Sequence, residues 1–200
     1  MKSRLKHAAT RSLSISTAML VACVATLTGL VPNPAKAQDT QPQPRNNFVI
    51  DVVEDCNHAY INPVDPKENT AADVSPGDTI VVQGTIYPGG TLKAGAQTNL
   101  PTAPGAIGRW LSRAVFVVNT AQFSGNVSPI AFATMLYMFP NSSSSLVSEG
   151  LVPNIGTAEQ RAVIGGTGGF VDASGQVTHQ NLGTNGTGCF NYRFTFTLKR

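Results

Sequence analysis

The sequence predicts an all-β fold. Extended segments alternate with turn clusters from residue 47 to the end of the chain, and several of them present two distinct faces. Beyond the first 37 residues, no segment sustains a helical period. Consecutive short strands joined by turns imply antiparallel pairing, in a sandwich or a closed barrel.

The strands read in order. "NFVIDVVED" (47–55) is β-rich, and the long polar loop "NPVDPKENTAADVSPGD" after it is stopped by Pro76-Gly77. "TIVVQGTIY" (79–87) sets Ile80, Val82 and Ile86 against Val81, Gln83, Thr85 and Tyr87. A glycine- and proline-rich connection too irregular for helix (88–108) leads to "RWLSRAVFVVN". "PIAFATMLYMF" follows; Pro129 and Pro140 bracket it, and its length suits a strand rather than a buried helix. After the turn "NSSSS" come "SLVSEGLV", "EQRAVIG" and "GFVDASGQVTHQ". The last strand is "CFNYRFTFTLK", with Phe190, Tyr192, Phe194, Phe196 and Leu198 on one face.

The first 37 residues have a different character. Lys2, Arg4, Lys6 and Arg11 precede the apolar run "SLSISTAMLVACVATLTGLV", and Ala35 and Ala37 occupy the small-residue positions of a cleavage site. We read 1–37 as a secretory signal peptide and 38–46 as a flexible polar arm, which leaves a single domain over 47–200. A retained membrane anchor is the alternative reading of the run, and "LVAC" ending at Cys23 resembles a lipoprotein box. The whole chain carries a net charge of +3, with 14 basic and 11 acidic residues. Removing the segment takes five of the basic residues and none of the acidic ones, so nine face 11 and the mature net charge is −2. Neither nucleic acid nor, after cleavage, a membrane is an expected partner.

Cys56 and Cys189 remain near opposite ends of the mature chain. In an oxidising compartment they have one possible intramolecular pairing, which requires the first and last strands to meet, and two free buried thiols are the alternative. Closure of a barrel would bring them together.

"RAVIGGTGGFVDASGQVTHQ" (161–180) packs five glycines between two strands. A phosphate loop needs Gly-Lys-Ser/Thr in front of a helix, and a dinucleotide fingerprint needs the helix too. "GGTGGF" has no lysine and runs into a strand, so the glycines are read as the positive-φ residues of a tight connection.

The order of blocks "GDTIVVQGTIYPGG", "IGRWLSRAVFVV", "ATMLYMF", "LVSEGLV", "AVIGGTGGFVDASGQV" and "FNYRFTFTL" resembles the allene oxide cyclase and dirigent protein superfamily. The most telling element is the "GGTG" turn of Gly165 to Gly168, followed by Phe170 and by Gly175 with Val177. The resemblance spans 47–199 and implies an eight-stranded antiparallel β-barrel with a small apolar lumen, commonly assembled as a homo-trimer, working without a metal or nucleotide cofactor. Its cyclases fold a reactive fatty-acid epoxide; its dirigent proteins hold phenoxy radicals for stereoselective coupling. Both act by positioning.

In the cyclases a glutamate and an asparagine two residues on, in the first strand, polarise the substrate. Asp51 is the nearest match to the acid here, although Val53 stands two residues on; a shifted register gives Asp55 with Asn57. Substrate contacts are expected from Tyr87, Arg109, Arg113, Tyr137 and Glu149, with structural pairing as the competing role of the charged ones. His58 and His179 show no metal-ligand spacing, and no serine sits in a nucleophile elbow. Asn126, Asn141 and Asn185 begin glycosylation sequons. The expectation is a secreted barrel that binds a small apolar molecule (an oxidised lipid, polyketide or phenolic) and steers its cyclisation. A non-catalytic dirigent-like carrier and a structural barrel with a filled lumen are the alternatives. Asp51 facing an open lumen would favour the cyclase.

Overall fold

The computed structural model describes residues 45–64, 75–117 and 131–199. The expected signal peptide with Cys23, the polar arm up to residue 44 and the Asn126 sequon lie outside the described residues. The strands are β1 (Arg45–Asn62), β2 (Thr79–Pro88), β3 (Gly108–Phe116), β4 (Ala131–Phe139), β5 (Ser144–Leu151), β6 (Ala158–Thr167), β7 (Ser174–Thr184) and β8 (Phe190–Lys199). Each pairs antiparallel with the next, and β1 pairs with β8 to close an eight-stranded barrel.

Closure follows from the alternation in the sequence, because one face of every strand can enter a common interior. Ile50 and Val52 of β1, Val82 and Ile86 of β2, Trp110 of β3, Met135 and Tyr137 of β4, and the β8 ladder Tyr192, Phe194, Phe196 and Leu198 form that interior. Cys56 and Cys189 are bonded, their Cα atoms 5.3 Å apart across 133 residues of chain. The bridge ties β1 to the residue preceding β8.

β1 is longer than its sequence pattern indicates, because it changes register against β2 between Asp55 and Ala59 and continues to Asn62. The bulge carries Cys56, Asn57 and His58 out of the ladder.

The glycine-rich connection between β6 and β7 makes a single 3₁₀ turn, Gly168–Phe170. Gly168 adopts φ 58°, which favours glycine. At Gly166 a Cβ would stand 2.7 Å from Phe170 Cβ, so the missing side chain admits that residue. The Phe170 ring then lies 5.8 Å from Phe48 and 5.7 Å from Phe139, over one end of the barrel. The glycines turn a corner and seat an aromatic plug.

The β2–β3 connection (89–107) forms a strap on the outer wall. Val53, Tyr87, Leu92 and Leu182 make a second small core beneath it, with Ala103 packed alongside. Thr85 Oγ1 donates to the Pro101 carbonyl, and Gly95 N–H donates to the Leu182 carbonyl. β1 is therefore covered on both faces from Asp51 to Val53.

Candidate functional site in the barrel lumen

The chemistry inside the barrel begins with parity. Glu54 shares the inward face with Ile50 and Val52 and is 6 % exposed. Gly84 is its register partner on β2, and Trp110 is the partner of Gly84 on β3. A Cβ at Gly84 would meet the Trp110 ring at 3.1 Å and Glu54 Cα at 3.2 Å, so glycine there lets the indole lie close to the acid's strand.

Glu54 Oε2 accepts hydrogen bonds from the Phe190 N–H at 3.1 Å and the Tyr192 hydroxyl at 3.5 Å. Burial nevertheless outweighs these donors and pushes the carboxyl up to about 7. Asn185 Nδ2 and Thr187 Oγ1 hold the Glu54 carbonyl at 2.8 and 3.3 Å, fixing the backbone from which the acid projects. Burial, with the neighbouring Glu54 charge, drives the Tyr192 phenol well above its usual range, so it remains a donor.

His179 follows Val177 on the inward face of β7 and is fully buried. Its ring stacks on Phe194 at 4.4 Å and meets Tyr192 edge-on at 4.6 Å. Among the described residues neither ring nitrogen has a hydrogen-bond partner, and the same holds for Trp110 Nε1. Burial first, and then the positive charge of Arg161, press the imidazole well below its ordinary value, so it is neutral with one donor and one acceptor nitrogen.

Arg161 is the permanent charge of this interior. Its guanidinium donates to the carbonyls of Gly150 and Leu151, both at 2.8 Å, and of Ala133 at 2.6 Å, gathering β4, β5 and β6. Its Nε also donates to Ser148 Oγ at 3.3 Å. Ser148 Oγ shares a 3.0 Å hydrogen bond with the Tyr137 hydroxyl. Burial raises that phenol to about 12 against the pull of Arg161. Among the described residues no carboxylate forms a salt bridge with Arg161.

The residues singled out from sequence are distributed differently. Tyr137 enters the lumen. Asp51 points to the outer wall beneath the strap, where Arg193 Nε and Nη2 donate to it at 2.8 and 3.0 Å and the Leu92 N–H donates at 2.8 Å. Arg193 also donates to the Leu92 carbonyl at 3.2 Å, so the ion pair clamps the strap. The Tyr87 hydroxyl bonds strap carbonyls, including Ala103 at 3.0 Å. Asp55 sits at the bulge, where it accepts from the Asn57 N–H at 3.0 Å and pairs with His58 Nδ1 at 2.7 Å. Arg109 donates to Gln83 and Glu149 accepts from Thr134, both at 2.8 Å on the outer surface; Arg113 is exposed there too. The same outer wall carries an open concavity of about 410 Å³ lined by His58, Tyr60, Val81 and Leu111.

Glu54, Tyr192, His179 and Arg161 went unselected in the sequence. Their signal was parity with Val52, Phe194, Val177 and Val163 respectively. A polar residue in phase with an apolar inward face is the mark of a lumen group.

No known protein-family profile matches the chain, and no curated protein matches it. Solved structures share its fold at low identity. One pterocarpan synthase dirigent protein is 12 % identical with a TM-score of 0.58, over 80 % of this chain and 97 % of that one. A second is 12 % identical with a TM-score of 0.57, over 80 % and 86 %. Pyocyanin demethylase is 13 % identical with a TM-score of 0.50, over 76 % of this chain and all of that one. The chain is similar to these proteins in its barrel fold.

Proposed function

We propose that this protein is a secreted barrel that binds a small, mostly apolar molecule in its lumen and steers its stereoselective cyclisation, as an isomerase or cyclase without a cofactor. One observation carries the reading. An aromatic interior of Trp110, Tyr137, Tyr192, Phe194 and Phe196 holds an acid raised to about 7 and a neutral histidine with no hydrogen-bond partner among the described residues. A packed structural core gains nothing from such groups, since each unsatisfied buried nitrogen costs about 1 to 3 kcal/mol. A ligand-handling lumen uses them. We assign Glu54 and His179 to the reacting region with Tyr137 and Trp110 along its wall, and assign Asp51 to holding the strap. Assembly as a homo-trimer belongs to the same proposal.

A second reading is a dirigent-like carrier that guides phenolic radical coupling without catalysing a step of its own. The fold likeness to two pterocarpan synthase dirigent proteins favours it.

Trp110 is the one tryptophan in the sequence, and its ring centre lies 5.9 Å from that of Tyr192. Its emission therefore reads the lumen directly. Native mass spectrometry of protein from its own medium gives the oligomer and any adduct, and titration with fatty-acid and phenolic libraries follows Trp110 quenching. Saturable quenching with turnover that Glu54→Gln abolishes supports the cyclase. Binding with coupling selectivity indifferent to Glu54→Gln supports the carrier. An adduct-free species that no compound quenches would identify a structural barrel.

A further inference from the structure

We propose that the lumen takes an enolisable ketone, its carbonyl oxygen held by the N–H groups of Trp110 and His179 while Glu54 removes a proton from the adjacent carbon. The inference rests on the lumen being the binding site, as proposed above, and adds a substrate class and a reaction step.

The argument starts from Tyr192. Three groups converge on this one residue: the indole of Trp110 at 5.9 Å and the imidazole of His179 at 4.6 Å between ring centres, and the Glu54 carboxyl through its hydrogen bond. Trp110 and His179 are buried and bring donors that no described residue satisfies. An indole N–H can only donate, and a neutral imidazole carries one N–H in either tautomer. The complement of two donors in an apolar box is an acceptor oxygen on an otherwise apolar molecule. A hydrocarbon would leave both donors unpaired.

The charges favour the ketone over other acceptors. Arg161 places a positive charge in the same interior with no carboxylate at salt-bridge distance among the described residues, although the Glu149 charge acts on it, and it helps to keep His179 neutral. A neutral imidazole and an indole N–H facing an oxygen, with a cation nearby, stabilise negative charge that develops on that oxygen. Glu54, raised to about 7, is matched to give and take a proton near neutrality. The step balances without a co-reactant. The C–H bond breaks as the Glu54 O–H bond forms, its electron pair becomes the C=C bond, and the carbonyl π pair moves to oxygen. Return of the proton from Glu54 to the far end of a conjugated system restores the ketone with a shifted double bond, and return to the same carbon after Glu54 has exchanged with solvent leaves the ketone labelled.

The test uses acetophenone and its isostere α-methylstyrene, in which =CH₂ replaces =O, on the full-length protein as purified. Calorimetry reads affinity, and loss of the methyl proton signal in D₂O reads enolisation. Acetophenone should bind about tenfold more tightly than α-methylstyrene, and its exchange should exceed that in protein-free buffer. Glu54→Gln keeps the acceptor for Tyr192 and Phe190, so it should retain binding while losing exchange by about a hundredfold. His179→Phe and, independently, Trp110→Phe should weaken acetophenone about tenfold and leave α-methylstyrene unchanged. Equal affinity for the two probes, or full exchange in Glu54→Gln, would overturn the inference while leaving a lumen that binds small molecules. Failure of both probes to bind would sink the lumen reading and this inference together.

Discussion

Replacing Asp51 with asparagine separates a clamp from a catalyst. The wild-type carboxylate is fully buried and accepts three hydrogen bonds, two from Arg193, whose side chain is 30 % exposed, and one from the Leu92 N–H. The amide oxygen of asparagine serves one side of that arrangement, while its NH₂ group confronts a donor on the other. The loss combines one charge-assisted hydrogen bond with one poorly satisfied donor, discounted because Arg193 can turn toward water. We expect a cost of about 2 to 4 kcal/mol. For a chain of this size that is a fall of roughly 6 to 12 °C in Tm by circular dichroism. Acetophenone affinity, measured well below the melting range, should stay within about twofold of wild type, because Asp51 faces the strap and not the lumen. A variant that melts with the wild type but no longer binds would refute the assignment and return Asp51 to the ligand.

Three further outcomes are expected. Glu54, at about 7 in the fold against 4.5 as its ordinary value, favours the native state while it is protonated. That stability is full at acid pH and is lost as pH rises through about 7, a change of about 3 kcal/mol. Urea unfolding at about pH 5 and about pH 8.5 should therefore show Glu54→Gln overtaking wild type on the alkaline side, and parallel behaviour would place the carboxyl in water. Replacing both Cys56 and Cys189 with serine opens a 133-residue loop and should lower stability by about 4 to 5 kcal/mol on the chain-entropy account, read as a Tm drop of roughly 10 to 15 °C. In a glycosylating host, peptide mapping should find glycan at the exposed Asn141 and none at Asn185, which is fully buried with Nδ2 donating to the Glu54 and Phe190 carbonyls and Oδ1 accepting from Thr187.

The barrel was legible because each strand alternates and because the turn residues stand where the chain reverses. The β8 ladder of Phe190, Tyr192, Phe194, Phe196 and Leu198 could only face a shared interior. The acid in β1 was harder to read for a physical reason. Alternation distinguishes the faces only when one of them is wet, and the strap buries Val53 outside as thoroughly as the lumen buries Val52 inside. "IDVVE" then offers carboxylates of both parities, and nothing local says that the loop after Pro88 will fold back over Asp51. Arg193 lies 142 residues from Asp51, so the pairing that settles the role of Asp51 is visible only in three dimensions. His179 was weighed as a metal ligand by spacing, whereas its significance comes from the rings of Tyr192 and Phe194 against it.

The pairing of β1 with β8 also fixes when the lumen can come into being. Glu54 belongs to the first strand, and Tyr192 and His179 to the last two, so the acid has no partners until the final segment arrives. During synthesis the nascent chain can form the hairpins from β2 to β7, but the wall stays open and its apolar face exposed. The bond between Cys56 and Cys189 can form natively only after that arrival, because it joins residues at the two edges of the opening. Oxidation of this pair thus records completion of the wall. A chain truncated within its last ten residues would forfeit the closed interior and the seam in a single event and leave two sheet edges unpaired.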